Sequence, residues 1–291
     1  MPKHKKETNE MILYKTLSEA STETLHGAFL EAFSDYQVKL DLPFRKFEQM
    51  LLRRGYCPDI SMGAFDNDRL VGFVLNGFRN WIGKPTVYDL GTGVIPQYRR
   101  RGIISDLLSH IKKLLKENQV EQYLLEVIKS NQSAFELYKK QGFEIQREFS
   151  CFQLEKDKFI PGETGMVERV ESLEMQQLKE FWDFEPSWQN SVASVSAVPE
   201  AFNFFVVRVN NNLAGYGIID KESGDIPQIA VNRDYRGNGI AHGIMTELVK
   251  STNSRKVALL NVETPSGSIE NFLNKLGFVL SVGQYEMLLK L

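Results

Sequence analysis

Two short stretches of this chain join arginine to glycine in a way that suits an anion. The first runs Gln97-Tyr98-Arg99-Arg100-Arg101-Gly102-Ile103-Ile104, and the second runs Asn232-Arg233-Asp234-Tyr235-Arg236-Gly237-Asn238-Gly239-Ile240-Ala241. Each follows an apolar, strand-like run, ending at Val94-Ile95-Pro96 in one case and Ile229-Ala230-Val231 in the other, and each precedes a helical pattern. A turn that opens a helix aims several unpaired backbone N–H groups, and the positive end of the helix dipole, at one point. Glycine at 102 and 239 lets the backbone approach a ligand oxygen closely, while Arg99, Arg101 and Arg236 bring charge and paired hydrogen bonds. Neither loop contains the Gly-Lys-Ser/Thr of a P-loop, and neither opens a first βαβ unit as a dinucleotide fingerprint does. The diphosphate of another coenzyme is left.

Stepping outward from the loops, the same elements recur around both. Gly239 lies 137 residues after Gly102, with Tyr, Arg and Ile in the same register. The following helices match: Leu107, Leu108 and Ile111 stand where Ile244, Met245 and Leu248 stand, a spacing that gives each helix one buried stripe. An apolar strand comes next in both copies, at 123–127 and 257–262. A shorter helix then ends at Gly142-Phe143 or Gly277-Phe278, where the glycine reads as a left-handed cap. Upstream, Phe65 and Leu70-Val71 flank Asp66 to Arg69, and Val206-Val207 and Leu213 flank Asn210 to Asn212, so each loop strand is preceded by a hairpin. Residues 18–33 and 42–54 read as helices, whereas 172–200 is less regular. Asp157 to Gly165, with Pro161 and two glycines, breaks all periodicity. The repeat therefore predicts two tandem α/β domains of the α+β type, residues 11–157 and 165–291, each a mixed, mostly antiparallel sheet flanked by helices.

Composition narrows the function classes. With 291 residues, 42% hydrophobic and 25% charged, the chain has the balance of a packed globular protein. A net charge of -2 disfavours general nucleic-acid binding, which needs a broad cationic face, so any anion site is local. Cys57 and Cys151 are too few to staple a secreted fold and read as reduced core or near-core thiols. The basic start MPKHKKETNE is followed by no apolar segment, and no run of 18 apolar residues occurs anywhere; a cytoplasmic protein without membrane partners is expected. His4, His26, His110 and His242 show no ligand spacing, so no metal is expected.

The pattern Arg-x-x-Gly-x-Gly/Ala after a strand ending in Val-x-Pro resembles the coenzyme-binding motif of the GNAT N-acetyltransferase family, whose loop holds the pyrophosphate of acetyl-CoA. The second half matches it as Arg236-x-x-Gly239-x-Ala241; the first matches Arg99-x-x-Gly102 but carries Ile104 at the small-residue position. The resemblance implies a coenzyme site at Val94, Ile95, Arg99, Arg101, Gly102, Ile103 and Ile104, and a second at Ile229, Val231, Arg236, Gly237, Asn238, Gly239, Ile240 and Ala241. The first half also resembles the family's later motif in Asn131 to Tyr138. By that likeness Asn131 contacts the pantetheine arm and Tyr138 is the general acid that protonates the departing thiolate. Asp89, upstream on the loop strand, is the candidate general base, with Glu126 on the adjacent strand as the other carboxylate. Gly91 and Gly93 are expected to mark a bulge that opens the sheet. In the second half Ser266 and Leu273 occupy the places of Asn131 and Tyr138, and leucine donates no proton. The resemblance thus implies a catalytic first domain and a second that binds CoA or serves as scaffold. The implied reaction is direct acetyl transfer from acetyl-CoA to a primary amine, on a small molecule or a peptide; acceptor and oligomeric state stay open. The alternative from another class is a non-catalytic CoA-binding or sensing protein.

Overall fold

The computed structural model describes residues 12–35, 42–265 and 267–291, so the basic N-terminal stretch with His4, and Ser266, lie outside the described residues. The chain forms two compact units. One holds the described residues up to Leu125 together with Leu137–Phe143 and Leu288–Leu291; the other holds Glu126–Glu136 and Glu144–Met287.

The first unit begins with strand β1 (Ile12–Thr16), helices α1 (Thr22–Ala32) and α2 (Phe44–Arg54), and strands β2 (Met62–Asp66), β3 (Arg69–Trp81) and β4 (Lys84–Val94). Helix α3 (Ile103–Glu117) follows, and then strand β5 (Gln122–Ile128) and helix α4 (Gln132–Lys140), each of which has residues in both units. Strands β1 to β5 neighbour one another in chain order. The first three pairings are antiparallel, and β4 with β5 is parallel. The hairpin between β2 and β3 turns at Asn67, whose φ of 52° is the left-handed conformation that two-residue hairpin turns require. Helix α3 turns Ile103, Leu107, Leu108, Ile111 and Leu115 inward, the stripe its spacing predicts. At its end, α4 stops on the left-handed Gly142, and the Phe143 N–H donates to Tyr138 O at 3.0 Å, placing Phe143 in the core.

The position of the bulge in β4 differs from the expectation. Leu75 pairs with Gly91 and Asn76 with Asp89, so the extra residue is Leu90 rather than a glycine. One inserted residue reverses which face the following side chains take. Arg54 on α2 donates through Nη1 to Leu90 O at 3.1 Å, which gives the displaced carbonyl a partner.

The second unit contains strand β6 (Glu144–Glu155), strand β7 (Val167–Val170), a short helix α5 (Val192–Ser196), and strands β8 (Phe202–Val209), β9 (Asn212–Asp220) and β10 (Gln228–Val231). Helix α6 (Ile240–Ser251), strand β11 (Lys256–Thr264), helix α7 (Gly267–Lys275) and strand β12 (Val279–Lys290) complete it. Four antiparallel strands lie in the order β10-β9-β8-β7, and β6 sits between β12 and β11. The β8–β9 hairpin again turns on left-handed asparagines, Asn210 and Asn211. Two cores flank the four-stranded sheet. Ile240, Ile244 and Leu248 of α6 belong to one, and Leu178, Phe181, Tyr216 and Ile218 to the other. Residues 159–166 form no helix or strand, and Gly162 N–H donates to Thr246 Oγ1 of α6 at 2.9 Å. Cys151 is a buried free thiol and Cys57 a half-buried one.

Candidate active site

The first anion loop leaves β4 at Val94, passes through a single 3-10 turn at Pro96–Tyr98 and enters α3. Ile95 N–H donates to Val71 O at 3.0 Å, which ties the start of the loop to β3. Arg100 and Gly102 both take left-handed conformations, with φ of 63° and 81°. Gly102 is the N-cap of α3, and the first helical bond runs from Asp106 N–H to Gly102 O at 3.1 Å. The N–H groups of residues 103–105 therefore precede the first intrahelical bond and converge at the helix mouth. Arg99 is exposed but folds back onto the protein. Its Nε donates to Val94 O at 3.2 Å, and its two Nη atoms to both Asp35 oxygens and to Ala32 O. Hydrogen bonding from Arg99 holds the Asp35 carboxyl below its ordinary range. Arg101 is exposed, with its guanidinium 4.7 Å from the centre of the Tyr98 ring.

On the same strand, the bulge brings Asp89 to Tyr138. The Tyr138 hydroxyl donates to Asp89 Oδ2 at 3.2 Å, Thr92 Oγ1 donates to the same oxygen at 2.6 Å, and Gly91 N–H donates to Oδ1 at 2.9 Å. Both residues are buried, Asp89 at 8% and Tyr138 at 7% exposure. Burial raises the Asp89 carboxyl to about 6, against the opposing pull of the Thr92, Tyr138 and Gly91 hydrogen bonds and of the Arg54 charge. The pairing of β4 with β5 covers only Thr86–Tyr88 with Gln122–Leu124, so β4 runs from Asp89 to Val94 beyond it. The pair thus stands where the two strands stop bonding.

The second loop repeats this construction. It leaves β10 at Val231, forms a 3-10 turn at Arg233–Tyr235 and enters α6 through Gly239. Gly237 and Gly239 are left-handed, with φ of 81° and 77°. Arg236 donates through Nε to Val231 O at 2.9 Å and reaches Asp183 Oδ1 at 3.1 Å and Phe181 O at 3.4 Å. In both copies, then, the motif arginine bonds the carbonyl five residues back, an aspartate and one further carbonyl. Ahead of β10, Asp225 forms an isolated parallel bridge with Ala258 of β11. Residues of both β10 and β11 line a cavity of about 500 Å³, within the range of roughly 300–1,000 Å³ of small-molecule sites. Its lining includes Gly237, Gly239, Ile240 and Ala241 of the loop and Phe272 of α7.

Models of two acetyltransferase families match this chain one after the other: the Acetyltransferase (GNAT) family over residues 22–143 and the Acetyltransferase (GNAT) domain over residues 170–287. The chain belongs to the GNAT acetyltransferase family. N-alpha-acetyltransferase 50 of Danio rerio is 32% identical over 101 residues, 34% of this chain and 58% of that protein. The chain thus spans little more than half of that relative. A tandem GNAT protein from the clavulanic acid biosynthesis pathway superposes over 96% of this chain and 98% of its own, with a TM-score of 0.69 at 15% identity. A putative acetyltransferase from Pyrococcus horikoshii superposes over 100% of this chain and 93% of its own, with a TM-score of 0.70 at 15% identity. These two likenesses are of fold.

Within this tandem GNAT chain, the residues singled out by sequence fall into distinct groups. Asp89 and Tyr138 touch. Val94, Ile95 and Ile103 are buried under the first loop, while Ile104 is half-buried on α3. Asn131 belongs to the second compact unit and caps α4, its Oδ1 accepting from Ser133 Oγ at 3.0 Å and Ala134 N–H at 3.2 Å. Of the eight second-half positions, Ile229, Val231, Arg236, Gly237, Gly239, Ile240 and Ala241 line the cavity. Asn238 is not among them; its Nδ2 donates to Tyr235 O at 3.2 Å. Glu126 accepts from Gln189 Nε2 and Asn261 Nδ2, both at 2.7 Å, as part of the second unit. Leu273 is fully buried in the α6 core.

Sequence reasoning missed Thr92 as the strongest donor to Asp89 and missed the polar residues Asn190, Gln228 and Asn261 in the second cavity. Asn261 has a left-handed φ of 59° inside the β11 bulge, a conformation with no signature at that point of an apolar run. Among the described residues no group of three or more His, Cys, Asp or Glu is placed to hold a metal ion, and no helix is long and apolar enough to cross a membrane.

Proposed function

We propose that this chain is an acetyl-CoA-dependent N-acetyltransferase whose chemistry runs in the first half, moving an acetyl group directly to a primary amine of a small molecule or peptide. The observation that carries the reading is the hydrogen bond between Tyr138 and Asp89, on the strand whose end opens into the Arg99–Ile104 loop. Acetyl-CoA supplies the activated acyl group. The N–H groups at the mouth of α3, with Arg101 beside them, hold its pyrophosphate, and Arg99 braces the loop from behind through Asp35 and Val94 O. Asp89, ionised above pH of about 6, accepts the proton that the attacking amine nitrogen sheds. Tyr138 gives its phenolic proton to the departing sulfur, and the 3.2 Å contact returns the proton from Asp89 to Tyr138. The proton lost by nitrogen ends on sulfur, and both residues are restored.

The second half favours a different role. Its loop has the same form and opens on a cavity, yet Leu273 stands where the first half has Tyr138. It holds coenzyme without transferring the acyl group. The cytoplasm is the compartment this reading assigns.

The test is Tyr138→Phe. Turnover is expected to fall by about 10²-fold, the scale of a lost general acid, while calorimetric affinity for acetyl-CoA stays within about twofold. Unchanged turnover removes the acid role, and absence of acetyl-CoA binding to the wild-type protein removes the acetyltransferase reading.

A further inference from the structure

We propose that the cavity of the second half has a second compartment, an apolar arm that takes the acyl chain of a thioester longer than acetyl. This inference rests on the reading of the Arg236–Ala241 loop as a coenzyme site.

The cavity is more than a groove over that loop. The four-stranded sheet β10-β9-β8-β7 separates two cores, and the cavity is lined from both. Ile240 and Phe272 face it from the α6 side, whereas Trp182, Tyr216 and Ala230 belong to the opposite core. The space therefore passes between β10 and β11, and a group threaded from the loop emerges against the far wall.

The chemistry of that wall selects what it receives. Its polar atoms bond one another in series: Trp182 Nε1 donates to the Tyr216 oxygen at 2.6 Å, Tyr216 donates to Gln228 Oε1 at 2.9 Å, Gln228 Nε2 donates to Asn190 O at 2.7 Å, and Asn190 Nδ2 donates to Leu260 O at 2.8 Å. With these donors, and Asn261 Nδ2 on Glu126 and Ser187, spent on protein acceptors, the lining also offers the apolar Phe181, Trp182, Ala230 and Leu260. Among the described lining residues the carboxylate is Asp183, held by Arg236 at 3.1 Å and Arg233 at 3.9 Å beside the loop. A methylene chain entering the arm gains by leaving water. Leu273 in place of the first half's tyrosine leaves the sulfur without that proton donor, so the thioester is held intact.

The experiment is calorimetric titration of the full chain carrying Gly102→Glu, which disables the first loop, with acetyl-CoA and with octanoyl-CoA. Octanoyl-CoA is expected to bind at least tenfold more tightly, as burial of two methylenes at about fourfold each would give. Ala230→Phe, which fills the arm, is then expected to erase that preference while acetyl-CoA affinity is retained. Equal affinity for the two thioesters overturns the acyl arm and leaves the coenzyme site standing. Binding of neither overturns the coenzyme site itself.

Discussion

The two halves build one loop from different residues and then diverge in what the loop serves. At the first left-handed position one has Arg100 and the other Gly237; at the second, both have glycine. In each, an arginine pins the loop to the strand that leads into it and to an aspartate, Arg99 with Asp35 and Arg236 with Asp183. The geometry of the helix mouth thus occurs twice. What differs is the short helix: Tyr138 reaches a buried carboxylate, whereas Leu273 is core. On the proposed reading, holding a coenzyme and protonating its sulfur are separable, because the first needs backbone and the second needs one hydroxyl in one place.

The widest gap between the halves is expected from matched charge insertions. Gly102→Glu should lower kcat/KM by about a hundredfold or more, since bulk and negative charge then face the pyrophosphate and misplace the reacting atoms. Gly239→Glu should leave turnover within about twofold. Steady-state assays of both variants decide the assignment, and the reverse result moves catalysis to the second half.

A smaller and more specific effect is expected of Asp89→Asn. In the wild type, kcat/KM should rise with pH through about 6 as Asp89 ionises, and this rise should be absent from the variant. The stability effect has the opposite sign. The folded-state value of Asp89 is raised from 3.8 to about 6, so its contribution is fully present below 3.8 and is lost as pH climbs through 6. Removing the ionisation should make the variant more stable than wild type at pH 7, by about 3 kcal/mol at most, and no different near pH 3.5. Denaturant titrations at the two pH values test the sign.

The smallest effect concerns the loops themselves. Arg100→Gly relieves a left-handed arginine and should stabilise the protein by about 1 kcal/mol. Gly237→Arg should cost about as much, because a side chain there meets open space and only the backbone is strained. Equal melting temperatures for all three proteins would show that the loops bear no strain.

Much of this organisation was legible in the chain. The repeated Arg-x-x-Gly loops, the helix stripes behind them and the two Gly-Phe caps are local patterns whose physics acts within a few residues, and all appear where the spacing puts them. The hairpins at Asn67 and at Asn210–Asn211 follow for the same reason. The bulge falls at Leu90 rather than among Gly91, Thr92 and Gly93, and the Leu90 carbonyl is met by Arg54 from a distant helix.

By itself, then, the sequence determined the repeat, which depends on residue type and local spacing, and its likeness to the family implied Asp89 and Tyr138 as candidates. That the pair touches, that burial lifts Asp89 toward neutrality, and that Arg99 and Arg236 fold back to brace their loops were decided by tertiary structure. So was the cavity, whose walls come from segments as far apart as Trp182 and Phe272. Desolvation and hydrogen bonding between distant residues depend on which surfaces meet, and no periodicity along the chain records that.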